Sequence, residues 1–473
     1  MNRQERFILF SSALGLFLYS LDSSLMNMAQ PVIARRFGTG TSEVSFISTA
    51  YLVSAGSCLM IASRLLEMLD FKRVLLGGYV LFLVSTLACG LSGNLWVLVA
   101  CRLFQGAGGS IILTGAFSAA GRFLPAKNIG TALGVLSASL SGGMAAGFPL
   151  GGLLTAWFPW QSVFFLQLPF IVLAMGLAGM AFPSTQGKTG GFTFDIPGVV
   201  TFFTALAGLT FSLSMGENLG WTSPAILGGF LVSLLLFPVF FLIESRSRHP
   251  FLNPGIFRDT TYSLFVGGRV MATLFQSGNL FLLPFYLVCL LKLSQTQAGL
   301  VMLSYTVLYT CLAPFSGLLA DRFKPERVGF VALLLLFCGC LFFLTMVGAP
   351  SIPWVIGFLL LVSAGFAVFF PSNNKLSILF VPPESRGIAT GLMLTVWAIG
   401  QSLGVSLFEL VFSTRLGALS PDTLSGKWNL DKIAPDVLIA SFRSAYVSGT
   451  LTILFSLVLM GTALLRMSRS HRP

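Results

Sequence analysis

Charge is scarce in this chain of 473 residues: only 9% of them are Asp, Glu, Lys or Arg, against about 25% in an ordinary soluble domain. With 55% hydrophobic residues and a mean hydropathy of +0.88, a soluble globule of this length would precipitate, so the composition excludes one. Histidine is almost missing; His249 and His471 are the two, and both lie outside the apolar runs. The seven cysteines, Cys58, Cys89, Cys101, Cys289, Cys311, Cys338 and Cys340, all fall inside those runs. This distribution argues against a disulfide framework and against Cys/His metal sites. The Cys338, Cys340 pair reads as packing or lipid-facing filler. Long polar segments are lacking too. No stretch between apolar runs exceeds about 30 residues, which argues against a soluble catalytic or nucleic-acid-binding domain. The net charge of +12 is therefore read as basic loops facing anionic lipid, with no nucleic-acid partner. No His/Cys/Asp cluster stands at membrane depth, so an enzyme is not expected.

What the chain has is long apolar runs. Each extends for about 20 residues or more, which suits membrane-spanning helices and is too long for the alternating strands of a barrel. Fourteen runs, centred near residues 18, 54, 83, 107, 142, 171, 205, 234, 275, 308, 337, 366, 398 and 453, predict an all-α polytopic membrane protein with 14 transmembrane helices. The run after Met1 to Arg6 is long and lacks a small-residue cleavage site, so it reads as the first span and not as a removable signal. With the N-terminus inside, cytoplasmic loops carry 19 Lys and Arg and outer loops 7, leaving Arg102 and Arg269 within spans. The positive-inside rule then places both termini in the cytoplasm and the chain in the cell inner (plasma) membrane. The one sizeable outer loop is expected at 412–440.

Three echoes link the two halves. Met28 to Pro31 (MAQP) resembles Phe281 to Pro284 (FLLP) at an offset of 253. Ser63 to Val74 resembles Gly317 to Val328 at 254, and Gly130 to Gly134 resembles Gly387 to Gly391 at 257. Near-equal offsets in the same order point to two six-helix bundles with two helices between them, a 6+2+6 arrangement. The expected divisions are 1–185, 186–258 and 259–473. Repeated bundles with a site near the midplane characterise secondary transporters.

A few polar residues interrupt the spans. A charge at membrane depth costs at least about 2.5 kcal/mol on insertion scales, so Asp22 in the first span and Arg102 in the fourth call for a purpose. A carboxylate at that depth can take up and release a proton, which makes Asp22 the proton-coupling candidate; a packing aspartate bonded to Ser23 or Ser24 is the plainer alternative. Arg269, a couple of turns into the ninth span, is expected to snorkel to the cytoplasmic side. Asn27, Tyr51, Gln105, Gln276, Asn279, Tyr305, Tyr309 and Glu409 are the groups expected to line a substrate cavity among phenylalanines. Glu217 and Glu244 read as interfacial. The run Gly143 to Gly152 spaces small residues so that two helix backbones can approach closely. Pro149 removes an N–H there and predicts a kink.

These segments resemble the major facilitator superfamily, and within it the fourteen-helix drug:proton antiporters of the EmrB/QacA-like type. Leu21 to Pro31 (LDSSLMNMAQP) looks like that family's LDxTxVNxALP segment, and Arg102 to Gly108 (RLFQGAG) like its RxxQGxG motif. Gly143 to Gly152 (GMAAGFPLGG) resembles the antiporter motif GxxxGPxxGG, with the proline one position late. Gly317 to Lys324 (GLLADRFK) is similar to the GxLaDrxG loop; its first-half copy departs at Ser63, Glu67, Met68 and Asp70. Trp160, Gln161 and Ser162 replace the usual WRW. The resemblance implies a major facilitator fold, proton transfer assisted by Arg102, a leak seal at Gly143, Gly147, Pro149, Gly151 and Gly152, and a cytoplasmic latch at Asp321 and Arg322.

The expected function is a proton-coupled exporter of lipophilic small molecules, cations among the candidates, working by alternating access. It needs no cofactor beyond the proton gradient. A lipid or amphiphile transporter on the same fold is the alternative, and a non-transporting receptor or scaffold the third reading. Expected partners are the substrate, protons and membrane lipids, with a periplasmic adaptor and outer-membrane channel as candidates.

Overall fold

The computed structural model describes residues 2–125, 129–184, 196–246, 259–349, 351–379, 386–419 and 433–470. Fourteen long helices account for nearly all of them. The first six are α1 (Arg3–Phe37), α2 (Thr41–Met68), α3 (Phe71–Leu91), α4 (Leu95–Phe123), α5 (Ile129–Trp157) and α6 (Ser162–Ala181). Next come α7 (Ile196–Leu219) and α8 (Pro224–Arg246). The last six are α9 (Thr260–Leu290), α10 (Gln295–Arg322), α11 (Pro325–Met346), α12 (Ile352–Leu379), α13 (Arg386–Leu419) and α14 (Pro435–Ser470). Every centre expected from hydropathy falls inside one of these helices. Among the described residues, 10 stretches are long and apolar enough to cross a membrane. The loop expected at 412–440 is shorter at its start, because α13 runs on to Leu419; residues 420–432 lie outside the described residues.

The internal repeat is visible in the turns. α1 ends on Gly38 in the left-handed region at φ 63°, and α9 is followed 254 positions later by Lys292 at φ 55°. Glu43 Oε2 accepts the Gly40 N–H at 2.8 Å to open α2, and Gln297 Oε1 accepts the Ser294 N–H at 3.0 Å to open α10, again 254 apart. The second cap is reciprocal, Ser294 Oγ accepting the Gln297 N–H at 3.2 Å, whereas Gly40 has no side chain to return the bond; each satisfies a donor that a helix start otherwise leaves open. Pro31 lies inside α1 and Pro284 inside α9, where the missing N–H is followed by a π turn at Tyr286–Leu290. Pro149 is likewise accommodated, with α5 continuous across it.

Burial separates central from peripheral helices. In α9, 94% of the most apolar window is buried, against 17% in α8. α8 turns Leu227, Leu231, Leu234, Leu235 and Leu242 outward, as a lipid-facing helix must. α1 packs on α5, α2 and α3 on α4, α9 on α13 and α14, and α12 on α10 and α11. α7 and α8 pair with each other, and α7 lies on both α2 and α13. There Phe202 and Leu206 join Val53, Met393 and Val396 in one apolar cluster.

The halves meet along α5 with α10, α2 with α13 and α1 with α9. At the end of the molecule that carries the α1–α2 turn, Ser42 Oγ donates to Glu409 Oε1 at 2.5 Å. At the same end a Cβ on Gly152 would collide with the Gln295 backbone, and one on Gly299 with the Phe148 carbonyl.

Candidate functional site

Arg102 and Gln105 sit three residues apart on one face of α4. The glycines beside them bring that face close to its neighbours: Gly106 abuts the α2 backbone at Tyr51 and Ala55, and Gly108 abuts the α3 backbone at Phe82. Short side chains can therefore reach across. Arg102 Nη1 donates to Asp22 Oδ2 at 2.6 Å, and both side chains are 1% exposed. The same Nη1 donates to Gln105 Oε1 at 2.7 Å, and Nε donates to the Ile47 carbonyl at 3.3 Å. The Tyr51 ring lies 4.2 Å from the guanidinium carbon, close enough for a cation–π contact. The second carboxylate oxygen of Asp22 accepts from Gln105 Nε2 at 3.0 Å and from Gln167 Nε2 of α6 at 3.1 Å. Gln105 Nε2 also donates to Thr86 Oγ1 of α3 at 2.8 Å. One acid and one base, neutral together, thus bind helices α1, α2, α3, α4 and α6 in the buried interior of the first half. A buried charge is tolerable only when paired and hydrogen-bonded in this way.

The 254-residue repeat carries Asp22 onto Gln276 and Tyr51 onto Tyr305. In the second half these two bond directly, Gln276 Nε2 donating to Tyr305 Oη at 3.0 Å. The acid is replaced by a neutral amide. Tyr305 and Tyr309 stack with ring centroids 6.3 Å apart. Asn279 turns to α14 instead, where its Oδ1 accepts from Tyr446 Oη at 2.7 Å. Glu409 is fully buried and bridges to Ser42 at the shared end of the halves. Asn27 stays half-buried on α1, where its Oδ1 accepts weakly from Gln30 Nε2 at 3.4 Å. Of the residues expected to line a cavity, Tyr51 and Gln105 are instead part of the Arg102 network.

The expected gate falls into two faces. Gly143, Gly147 and Gly151 are spaced by four on α5 and face α1, where added Cβ atoms would meet the Phe17 and Leu21 carbonyls, Ser24 and Met28. Gly152, one position on, faces α10 of the other half, as Pro149 does through Gly299. Arg322 is exposed at the end of α10; the Asp321 side chain lies outside the described residues.

A family model described as Major Facilitator Superfamily matches residues 12–405. The chain belongs to the Major Facilitator Superfamily. Among curated proteins, it is 25% identical to the riboflavin transporter RibZ of Clostridioides difficile strain 630, over 88% of this chain and 90% of that protein. It is 26% identical to the tetracenomycin C resistance and export protein of Streptomyces glaucescens, over 90% of this chain and 79% of the relative. It is 28% identical to the multidrug resistance protein Stp of Mycobacterium tuberculosis strain CDC 1551 / Oshkosh, over 92% and 80%. In fold, a bacterial homolog of the human lysosomal transporter Spinster, in an inward-facing and unoccupied conformation, aligns with TM-score 0.69 at 15% identity, covering 98% of this chain and 97% of that one. A D-xylose-proton symporter aligns with TM-score 0.64 at 15% identity, covering 95% and 96%.

One residue of this major facilitator chain escaped the sequence reading, and another sits elsewhere than it expected. Gln167 supplies a donor to Asp22; its signal is a lone amide in the apolar run VFFLQLPFIVL. Arg269 does not snorkel out as expected. It is 5% exposed and is held inside by Asn374 Oδ1, which accepts from Nη1 at 2.5 Å, and by the Phe370 ring at 5.2 Å. Glu244, expected at the interface, is also buried. The Glu217 side chain lies outside the described residues.

Proposed function

We propose that this transporter is a proton-coupled exporter of lipophilic small molecules, and that Asp22 is its proton site. The buried Asp22–Arg102 pair is the observation that carries the reading. A proton on Asp22 cancels the ion pair and leaves the Arg102 guanidinium with only neutral partners, Gln105, the Ile47 carbonyl and the Tyr51 ring. The same event weakens the bonds that join α1 to α4 and α6. Proton occupancy and helix packing are thereby linked, and that linkage is what coupling requires. Substrate class is supported by the named relatives, which include exporters and drug-resistance proteins.

The finer architecture we propose is 14 spans arranged as 6+2+6, with divisions near 185 and 258, cytoplasmic termini and an inner-membrane location, as in the fourteen-helix EmrB/QacA-like type. In that orientation the Ser42–Glu409 and Gly152–Gln295 contacts close the outer face, as befits an inward-facing state. Arg102 then lies roughly 10 Å along α4 from its outer end, at 1.5 Å per residue, where a proton entering from outside arrives first. A cationic substrate finds little support, since Asp22 is taken by Arg102 and Glu409 by Ser42. An adaptor and outer-membrane channel would extend the path in a two-membrane cell.

Proton flux in proteoliposomes, recorded while a chemically broad panel of substrates is added, tests the reading. Substrate-dependent flux is expected in the native chain and none in Asp22→Asn. Undiminished flux in that variant overturns the role of Asp22. Flux or movement confined to lipids turns the reading to lipid transport.

A further inference from the structure

Arg269 is a buried cation with no carboxylate beside it among the described residues. A guanidinium presents five N–H donors and accepts nothing. Among the described residues its one hydrogen bond goes to the neutral Asn374 Oδ1, its Nε is buried with no partner, and no acid stands within ion-pair distance. This contrasts with Arg102, whose charge is balanced by Asp22. An uncompensated buried charge costs several kcal/mol unless something neutralises it.

The fold does not require an arginine at this place. The repeat sets Arg269 of α9 against Gly15 of α1, a glycine packed on Tyr79. The first bundle therefore forms with no side chain there. Around Arg269 the second bundle assembles the parts of a binding site. Gln276 lies seven residues along the same face of α9, with its Oε1 buried and unpartnered. Tyr309 of α10 is half-buried, Asn374 of α12 is exposed, and the Phe370 ring covers one side of the guanidinium. Arg269 thus stands just behind accessible surface on α9, a helix that also touches α1 of the other half.

We propose that Arg269 docks the anionic group of the transported molecule, an oxyanion such as a carboxylate, sulfonate or phosphate carried on an apolar aromatic body. Nε and the remaining guanidinium donors can hold two oxygens of such an oxyanion in bidentate fashion. Phe370 and Tyr309 supply aromatic surface for the body of the ligand, and Gln276 Oε1 offers an acceptor deeper along α9. This inference rests on the transport reading above, and it assigns cargo to the second half and the proton to the first. The oxyanion has two possible sources, an organic anion in solution or an anionic phospholipid headgroup.

Thermal stabilisation of the purified full chain in zwitterionic nanodiscs tests this. The probes are aromatic carboxylates and sulfonates, among them naphthalene-1-carboxylate, each paired with its neutral amide and its methylammonium counterpart. At least one anion is expected to bind about tenfold or more tightly than its amide, as a charge-assisted hydrogen bond supplies. Arg269→Gln is expected to abolish that ratio, and Arg269→Lys to retain part of it. Asp22→Asn is expected to lose proton coupling yet keep the ratio, so failure of the coupling reading stays distinct from failure here. Should Arg269→Gln not fold, the native ratio and Arg269→Lys still decide. If no anion is preferred in zwitterionic discs but stabilisation follows added anionic phospholipid and is lost in Arg269→Gln or weakened in Arg269→Lys, the headgroup is the source. The proposal is overturned if neither soluble anions nor anionic lipid are preferred, or if the preference survives intact in Arg269→Gln.

Discussion

The Ser42 hydroxyl donates to Glu409 Oε1 at 2.5 Å, joining residues 367 positions apart and tying α2 of one half to α13 of the other. Both side chains are fully buried, so the bond works in low dielectric, where it is stronger than in water. Ser42→Ala is expected to loosen this end. Spin labels replacing the exposed Arg35 and Arg415, near that end on α1 and α13, should show an added population at longer distance; an unchanged distance distribution would argue that the bond does not hold the halves together.

Asp22→Asn strands the Arg102 guanidinium in the interior. Breaking a buried pair from one side costs about 3–5 kcal/mol, so the variant should unfold at clearly lower temperature in detergent. Arg102→Gln added to it removes the orphaned charge and should restore part of the loss, while proton-coupled transport stays absent. A double variant no more stable than the single one would contradict the pairing.

Gln167 gives the carboxylate one of its two amide donors. Gln167→Leu should leave Asp22 Oδ1 with Gln105 alone and cost about 1–3 kcal/mol, the range for an impaired buried polar group. The readout is unfolding in detergent alongside proton flux, which should fall without vanishing because the ion pair persists.

Glycines of α5 separate close packing from mere presence in a helix. A Cβ at Gly147 would fall on Ser24 Oγ, whereas one at Gly134 meets nothing within 4 Å. Gly147→Ala should therefore destabilise by about 1–3 kcal/mol through overpacking. Gly134→Ala should be neutral or stabilising by up to about 1 kcal/mol, since alanine is the better helix former. Equal melting temperatures for the two variants would refute the close α1–α5 approach.

Much of this was legible along the chain. Helix positions follow from apolar runs, which act over neighbouring residues, and the repeat showed in short echoes before it showed in the paired turns at Gly38 and Lys292. Asp22 and Arg102 were legible because a charge in an apolar run is conspicuous. Their pairing was not, since 80 residues separate them. Tyr51 and Gln105 looked like cavity groups because a polar side chain on an apolar helix does not announce whether it faces a ligand or a buried charge.

By itself the sequence determined where the long helices lie, the two-fold repeat and the small set of embedded polar residues, because hydropathy, capping and glycine spacing are local properties. The tertiary structure alone decided which of those residues neutralise one another. It set Gln167 on Asp22 and left Arg269 beside Asn374, with no acid near it among the described residues. A buried charge is governed by groups within a few ångströms in space, and helix packing, not sequence distance, brings them there.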